Sequence, residues 1–263
     1  MQKNTLTFIA ISLLLGSAAI AQAPSQEKAQ MKPEMTESWE PEVKVTTPGA
    51  NSSAPSDAIV LFDGKNLDQW VSTNDPQTAA QWTVANGVFT VKKGTGNIQT
   101  KESFLDYQLH IEWRIPEKIT GTGQGRGNSG LFLASIGKGD AGYELQIVDS
   151  YNNRTYANGQ AGSIYKQTRP LINAMRKPGE WNVYDIVFTA PRFKEDGSLF
   201  SPARVTVLHN GVLIQNNTEL RGPTQYIGLA EYKTAHGKSP IKLQDHGDPS
   251  EPISFRNIWI RPL

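Results

Sequence analysis

The chain of 263 residues contains no cysteine, which excludes disulfide staples, thiolate metal ligands and lipidation at a cysteine. An excess of charge is missing too. The apolar run Leu6–Ile20 follows one positive charge in Met1-Gln2-Lys3-Asn4, is too short for a comfortable membrane span and ends in Ala19-Ile20-Ala21. That pattern reads as a secretory signal peptide, residues 1–21, with Ala21 preferred because cleavage after Ala23 would set Pro24 beside the scissile bond. The expected product is a periplasmic or secreted protein with no membrane span in the mature chain. Its 25 basic and 25 acidic residues balance, which argues against nucleic acid as a partner. Six Trp and eight Tyr on a neutral chain suit an uncharged ligand such as a small carbohydrate, although most of these rings are expected in the core. Oligomeric state is not legible.

Residues 22–56 hold five prolines, many Ser, Thr, Glu and Lys and few large apolar groups, the composition of an arm or linker. Trp39 is costly to leave in water and is the one residue there suited to docking. From residue 57 to 263 short apolar or alternating segments recur: Ala58–Phe62, Trp82–Val84, Val88–Val91, Tyr107–Ile115, Gly130–Leu133, Tyr143–Val148, Trp181–Thr189, Arg204–Leu208, Val212–Ile214 and Ile253–Ile260. Asn86-Gly87 and Asn210-Gly211 between them are two-residue hairpin signals, since both central positions of such a turn take positive φ. No long helical period and no repeat of 20–50 residues is present. The pattern predicts an all-β, two-sheet antiparallel jelly-roll sandwich whose free sheet face offers a cleft.

Alternation puts Glu144 and Gln146 on one face of their strand and Tyr143, Leu145 and Ile147 on the other. On pattern alone a solvated face is the favoured account of that stripe; a floor for a polyhydroxylated ligand is the sharper reading. Two more strands carry polar faces: Gln108, His110, Glu112 and Arg114 opposite Leu109, Ile111 and Trp113, and Lys242, Gln244 and His246 opposite Ile241 and Leu243. His246 stands out among four histidines for its crowding by Gln244, Asp245 and Gly247, with a surface imidazole as the alternative. HExxH, calcium-loop and GxSxG motifs are absent. The run Gly121–Gly127 lacks the following Lys-Ser/Thr of a phosphate cradle and reads as a mobile loop. A divalent ion has no motif behind it, and Glu144 and His246 are its candidate ligands.

Several segments taken in order resemble a bacterial family, the 3-keto-disaccharide hydrolases: Leu61-Phe62-Asp63-Gly64-Lys65-Asn66-Leu67 with Trp70, Asn128-Ser129-Gly130, Tyr143 through Asp149, Gly162-Ser163-Ile164-Tyr165, Glu180-Trp181-Asn182, Asn210-Gly211, Leu243-Gln244-Asp245-His246-Gly247 and Phe255-Arg256-Asn257-Ile258. The resemblance implies a concanavalin A-like jelly roll of the lectin and glucanase type. It also implies a substrate already oxidised to a ketone at C3 of the sugar. The C2 hydrogen is then α to a carbonyl, so a base removes it, the C1 substituent leaves by elimination, and water completes a net hydrolysis. Such a route needs a base, a donor for the enolate oxygen and an acid for the leaving group. Glu144 and His246 lie in the shared motifs and are the candidates for proton transfer, with base and acid unassigned between them. By residue type and face, Arg114, or a divalent ion bound near Glu144 and His246, would stabilise the enolate, Glu112 would orient Arg114 or act as a second carboxylate, and Gln146, Gln244, Asn128, Tyr165 and Lys166 would contact the sugar.

Two rivals remain at this level. A two-carboxylate glycosidase would draw its second acid from Glu112, since Gln146 and Val148 follow Glu144 on its face. A carbohydrate-binding module would use the same floor without turnover, with Trp70 or Tyr165 as a stacking platform.

Overall fold

A computed structural model describes residues 30–263, so the expected signal peptide, residues 1–21, lies outside the described residues. The chain divides into two units, Met1–Val45 and Thr46–Leu263. Within the first, residues 30–45 contain one 3-10 turn, Pro33–Met35, and an exposed Trp39. Residues 46–56 go with the second unit rather than with the arm: Thr46 Oγ1 donates to Asp57, and the Ser52 carbonyl accepts from Asn257 Nδ2 and Trp259 Nε1.

Fifteen strands build the domain: β1 Ile59–Phe62, β2 Trp70–Ser72, β3 Thr83–Ala85, β4 Val88–Thr90, β5 Ile98–Thr100, β6 Tyr107–Arg114, β7 Ser129–Ser135, β8 Gly142–Ile147, β9 Trp181–Thr189, β10 Arg192–Phe193, β11 Leu199–Ser201, β12 Arg204–His209, β13 Val212–Glu219, β14 Lys242–Leu243 and β15 Ser254–Pro262. One sheet runs β13-β12-β9-β6-β15-β4-β3 with β1 also paired to β15; the other runs β2-β5-β14-β7-β8; β10 and β11 form a separate ribbon. The pairings are antiparallel, as the jelly-roll reading requires. Both expected hairpins form, with φ of 52° and 76° at Asn86 and Gly87 and 53° and 80° at Asn210 and Gly211.

Leu109, Ile111 and Trp113 of β6 and Tyr143, Leu145 and Ile147 of β8 are fully buried. Each such side chain stabilises the fold by about 1.5–3 kcal/mol. Two buried tyrosines tie the sheets together, Tyr107 Oη donating to the Leu133 carbonyl at 2.6 Å and Tyr184 Oη to that of Gln146 at 2.9 Å. The strand β8 is an edge of its sheet, and its outer backbone groups are paired by a following segment: the Gly162 N–H donates to the Gln146 carbonyl, the Gln146 N–H to that of Ser163 and the Tyr165 N–H to that of Glu144. The segment Gly162–Tyr165 thereby fixes the strand that carries Glu144.

Trp70 belongs to the core. It is fully buried and its Nε1 donates to the Leu61 carbonyl at 2.9 Å, so it offers no stacking platform.

Candidate active site

Since Tyr143, Leu145 and Ile147 enter the core, Glu144 and Gln146 leave β8 on the outer face of the smaller sheet. Strand register carries that face across its neighbours. Glu144 stands opposite Phe132, Phe132 opposite Lys242, and Lys242 opposite Gln99. One step along, Gln146 stands opposite Gly130, whose carbonyl accepts the Gln244 N–H. Gly130 matters for what it lacks: a β-carbon there would lie 2.8 Å from Glu144 Oε1 and 3.3 Å from Gln244 Oε1. Its absence leaves the gap in which the carboxyl and the amide converge.

A cleft of about 200 Å³ opens on this face. Six residues singled out from the sequence line it: Asn128, Glu144, Gln146, Tyr165, Gln244 and His246. Asp140, Thr224 and Tyr226 line it as well and were not foreseen. Asp140 sits in the turn between β7 and β8; Thr224 and Tyr226 lie in a long loop with no period to announce them. Thr224 Oγ1 accepts the Glu144 N–H at 3.1 Å.

Glu144 is almost wholly buried, and no hydrogen bond holds its carboxyl among the described residues. Burial pushes its pKa up to about 8; the nearby Asp140 adds to the rise and Lys242 opposes it. At neutral pH the carboxyl therefore carries its proton. Burial likewise pushes fully buried Lys242 down to about 8, against the pull of Asp140 and Glu144. Yet its Nζ donates to the carbonyls of Gly137, Gly139 and Ala141 at 3.3, 2.7 and 2.9 Å, a set that only the ammonium satisfies. Those bonds also tether the turn bearing Asp140, whose Oδ1 accepts from Asn97 Nδ2 at 2.9 Å.

His246 enters from beyond β14. Its Nε2 lies 3.2 Å from Asn128 Nδ2, which can only donate, so Nε2 is the acceptor. Its Nδ1 faces Asp248 Oδ2 at 3.6 Å. Burial works against ionisation of Asp248, but contacts with His246 and Ser250 outweigh it and leave the carboxyl below its usual range. The Nδ1 proton toward Asp248 and the Nε2 lone pair toward the cleft follow from these neighbours. Two buried acceptors of cleft-lining residues, Asn128 Oδ1 and Gln244 Oε1, have no partner among the described residues. Unpaired acceptors of this kind suit ligand hydroxyls.

The glycine-rich run is ordered. It forms a 3-10 turn at Gly123–Gly125, and Gln124 holds two site residues, accepting Gln146 Nε2 at 2.9 Å and, through its backbone carbonyl, Asn128 Nδ2 at 2.9 Å. Its own amide donates to Thr155 and to the Gly159 carbonyl. Lys166, expected to contact the sugar, does not line this cleft; its Nζ donates to the Tyr226 carbonyl at 2.9 Å.

Glu112 and Arg114 are not in the site. Leu109, Ile111 and Trp113 of β6 point into the sandwich, so Glu112 and Arg114 lie on the outer face of the larger sheet, with the whole core between them and Glu144. Glu112 accepts from Arg256 Nε at 2.6 Å and Asn257 Nδ2 at 2.9 Å, and the Arg114 guanidinium packs 4.6 Å from the Trp181 ring. A Glu112→Gln variant is expected to keep kcat/KM within about twofold while losing roughly 1–3 kcal/mol of stability in denaturant melts. His110 belongs to the same cluster; burial lowers its pKa but Asp185 and Glu112 more than offset that and raise it to about 9. Its stabilising share is complete below pH 6.5 and is lost as pH rises through about 9. Glu112, with burial outweighed by His110, Asn257 and Arg256, sits at about 2 and gives a share that disappears only as pH falls toward that value.

Among the described residues no group of three or more His, Asp or Glu side chains is placed to hold a metal ion. With His246 Nε2 also engaged by an amide donor, Glu144 and His246 do not make a metal cage on their own.

A two-sheet jelly roll with an amide- and carboxyl-lined cleft across one sheet defines a carbohydrate-active protein. The 3-keto-alpha-glucoside-1,2-lyase-like domain matches residues 57–261, and the chain belongs to that family. The crystal structure of a "putative glycosyl hydrolase" from Parabacteroides distasonis ATCC 8503 is 58% identical to this chain, covers 89% of it and 98% of its own length, and superposes with a TM-score of 0.82. Two further crystal structures from that organism, described in the same words, share the fold at 21% and 22% identity and TM-scores of 0.54 and 0.55; they cover 79% and 78% of this chain and 94% and 99% of their own. No curated protein matches the chain.

Proposed function

We propose that the protein cleaves 3-keto-glycosides in this cleft, with His246 as the base and Glu144 as the acid. One observation carries the reading: a single cleft holds a carboxyl kept protonated by burial and an imidazole whose Nε2 is the acceptor nitrogen. His246 Nε2 takes the C2 proton and the C–H pair forms the C2=C3 enolate. Collapse of the enolate restores the C3 ketone, makes the C1=C2 double bond and expels the C1 oxygen, which takes the Glu144 proton. Water then adds at C1 as the now ionised Glu144 accepts its proton and His246 returns one to C2, so the net change is hydrolysis. With Arg114 on the far side of the sandwich, the neutral donors Tyr165 Oη and the Gln244 amide are the cleft's candidates for the enolate oxygen. Membership of the family and the 58% identical Parabacteroides structure support glycoside chemistry at this site.

Asp140 favours a second reading. It places a carboxylate in the same cleft as protonated Glu144, the pair that an ordinary glycosidase uses as nucleophile or base and acid. The two readings separate when the protein is incubated with a glucoside and with its 3-keto derivative, each with and without chelator. Turnover confined to the keto form, indifferent to chelator and retained in Asp140→Asn, is the expected result. Hydrolysis of the plain glucoside that Asp140→Asn abolishes establishes the glycosidase instead, and chelator-sensitive turnover overturns the metal-free route.

A further inference from the structure

Next to the cleft lies a second hollow of about 480 Å³, lined by Tyr156, Asn158, Lys166, Tyr226, Ile227 and Gly228. The two share Tyr226 as a common wall. They are coupled a second time by the 2.6 Å hydrogen bond between the hydroxyls of Tyr156, in the hollow, and Tyr165, in the cleft. Adjacent residues serve the two spaces: Lys166 adopts φ of 58°, a left-handed turn that sends its side chain to the hollow while Tyr165 faces the cleft. Anything attached to a sugar on the cleft floor and projecting past Tyr226 enters this hollow.

Its lining is unlike the cleft's. The Lys166 ammonium stands 4.5 Å from the Tyr226 ring centre and 5.6 Å from that of Tyr156. Tyr226 and Ile227 are 72% and 84% exposed, and Leu229 just beyond is 88% exposed, a run of large apolar side chains left in water beside a polar cleft. Polar capacity is small: one Lys166 proton is committed to the Tyr226 carbonyl and the Tyr156 hydroxyl to Tyr165, leaving the Asn158 amide and the rest of the ammonium. A hexose, with hydroxyls all round its ring, needs more directional partners than that. A flat aromatic ring needs the Tyr faces and the Ile side chain, with a cation at its edge for an oxygen substituent.

We propose that this hollow is the leaving-group subsite and that it selects aromatic aglycones over a second sugar. The inference rests on the keto-glycoside reading of the cleft for its kinetic form. Methyl and benzyl 3-keto-glucosides expel alcohols of similar acidity, so a difference between them reports binding rather than leaving ability. The benzyl compound is expected to show a KM about tenfold lower than the methyl compound at similar kcat, and lower than a 3-keto-disaccharide. Ile227→Ser, at an exposed position outside the cleft, is expected to remove about three- to fivefold of that preference while leaving the methyl substrate's kinetics unchanged. Equal KM values for methyl and benzyl, a preference for the disaccharide, or a benzyl preference untouched by Ile227→Ser would each overturn the proposal. Absence of turnover on all three compounds sinks the keto-glycoside reading and leaves the hollow to be read by saturation-transfer NMR with unoxidised benzyl glucoside. Transfer to the phenyl protons that weakens in Ile227→Ser sustains the aromatic subsite, and transfer that is absent or unchanged removes it.

Discussion

Glu144→Gln is expected to lower kcat/KM on a 3-keto-glucoside by about 10²–10⁴-fold with little change in KM, because the amide keeps the shape of the protonated carboxyl but has no proton to release to the leaving oxygen. The same burial that makes the residue an acid predicts the pH profile. Glu144 needs its proton, and its pKa stands at about 8, so wild-type kcat/KM falls as pH rises through that value. Stability carries a matching signature. The folded carboxyl holds its proton up to about pH 8, whereas the unfolded one loses it near 4.5, so the folded state binds more protons between those values and wild-type stability declines across them as pH rises. The Gln variant lacks that decline and is expected to melt higher than wild type at pH 9 while being nearly inactive. Equal activity in the variant, or a wild-type rate that climbs through pH 8, removes Glu144 from the acid's role. Lys242 sets the height of the effect: its ammonium, held by three carbonyls, opposes the rise and keeps the carboxyl's pKa from climbing further.

What made the Glu144 strand legible was parity. A run of Tyr143, Leu145 and Ile147 can be buried on only one side, and this assigns Glu144 and Gln146 to the other side without any coordinates. The same rule assigned Glu112 and Arg114 to the non-core face of β6, correctly, and then failed, because parity says which face of a sheet a residue occupies but not which sheet of a sandwich its strand joins. The strand β6 pairs with β9 and β15 in the larger sheet, whereas β8 and β14 flank β7 in the smaller one. Strand pairing across more than a hundred residues is a tertiary fact, and it separated two polar stripes that look equivalent in sequence. The short strands β2 and β5 were missed for a related reason: three residues are too few for alternation to show, and their neighbours in the sheet define them. Gln124 was hidden by its setting, since four glycines in seven residues read as mobility while Asn153 and Thr155 in fact clamp the turn, Asn153 accepting the Gly123 N–H and Thr155 accepting from Gln124. Glycine at 130 was visible as part of a motif, but its purpose, room for a carboxyl and an amide to meet, appears only when β14 is laid beside β7.

His246→Ala is expected to reduce cleavage of a 3-keto-glucoside by about 10²–10³-fold, and the isotope chemistry of the loss distinguishes a base from a mere contact. If Nε2 removes the C2 proton, substrate deuterated at C2 reacts more slowly with wild type, and solvent deuterium enters C2 of unreacted substrate whenever the enolate forms and returns. Both signals vanish with the imidazole. Added imidazole is expected to restore part of the rate, since the His246 side chain is 36% exposed and its removal opens a space contiguous with the cleft. Asp248 refines the test. It stands 3.6 Å from Nδ1 and is anchored by the Ser250 N–H and hydroxyl, so it orients the ring and favours the tautomer whose Nε2 is unprotonated, without touching substrate. Should His246→Ala cut cleavage yet leave C2 exchange intact, the imidazole would be acting on the leaving group and the two roles would be reversed, with ionised Glu144 as the base. That reversed enzyme would gain activity as pH rises through 8, opposite to the decline expected here, so the exchange experiment and the pH profile must agree on one assignment.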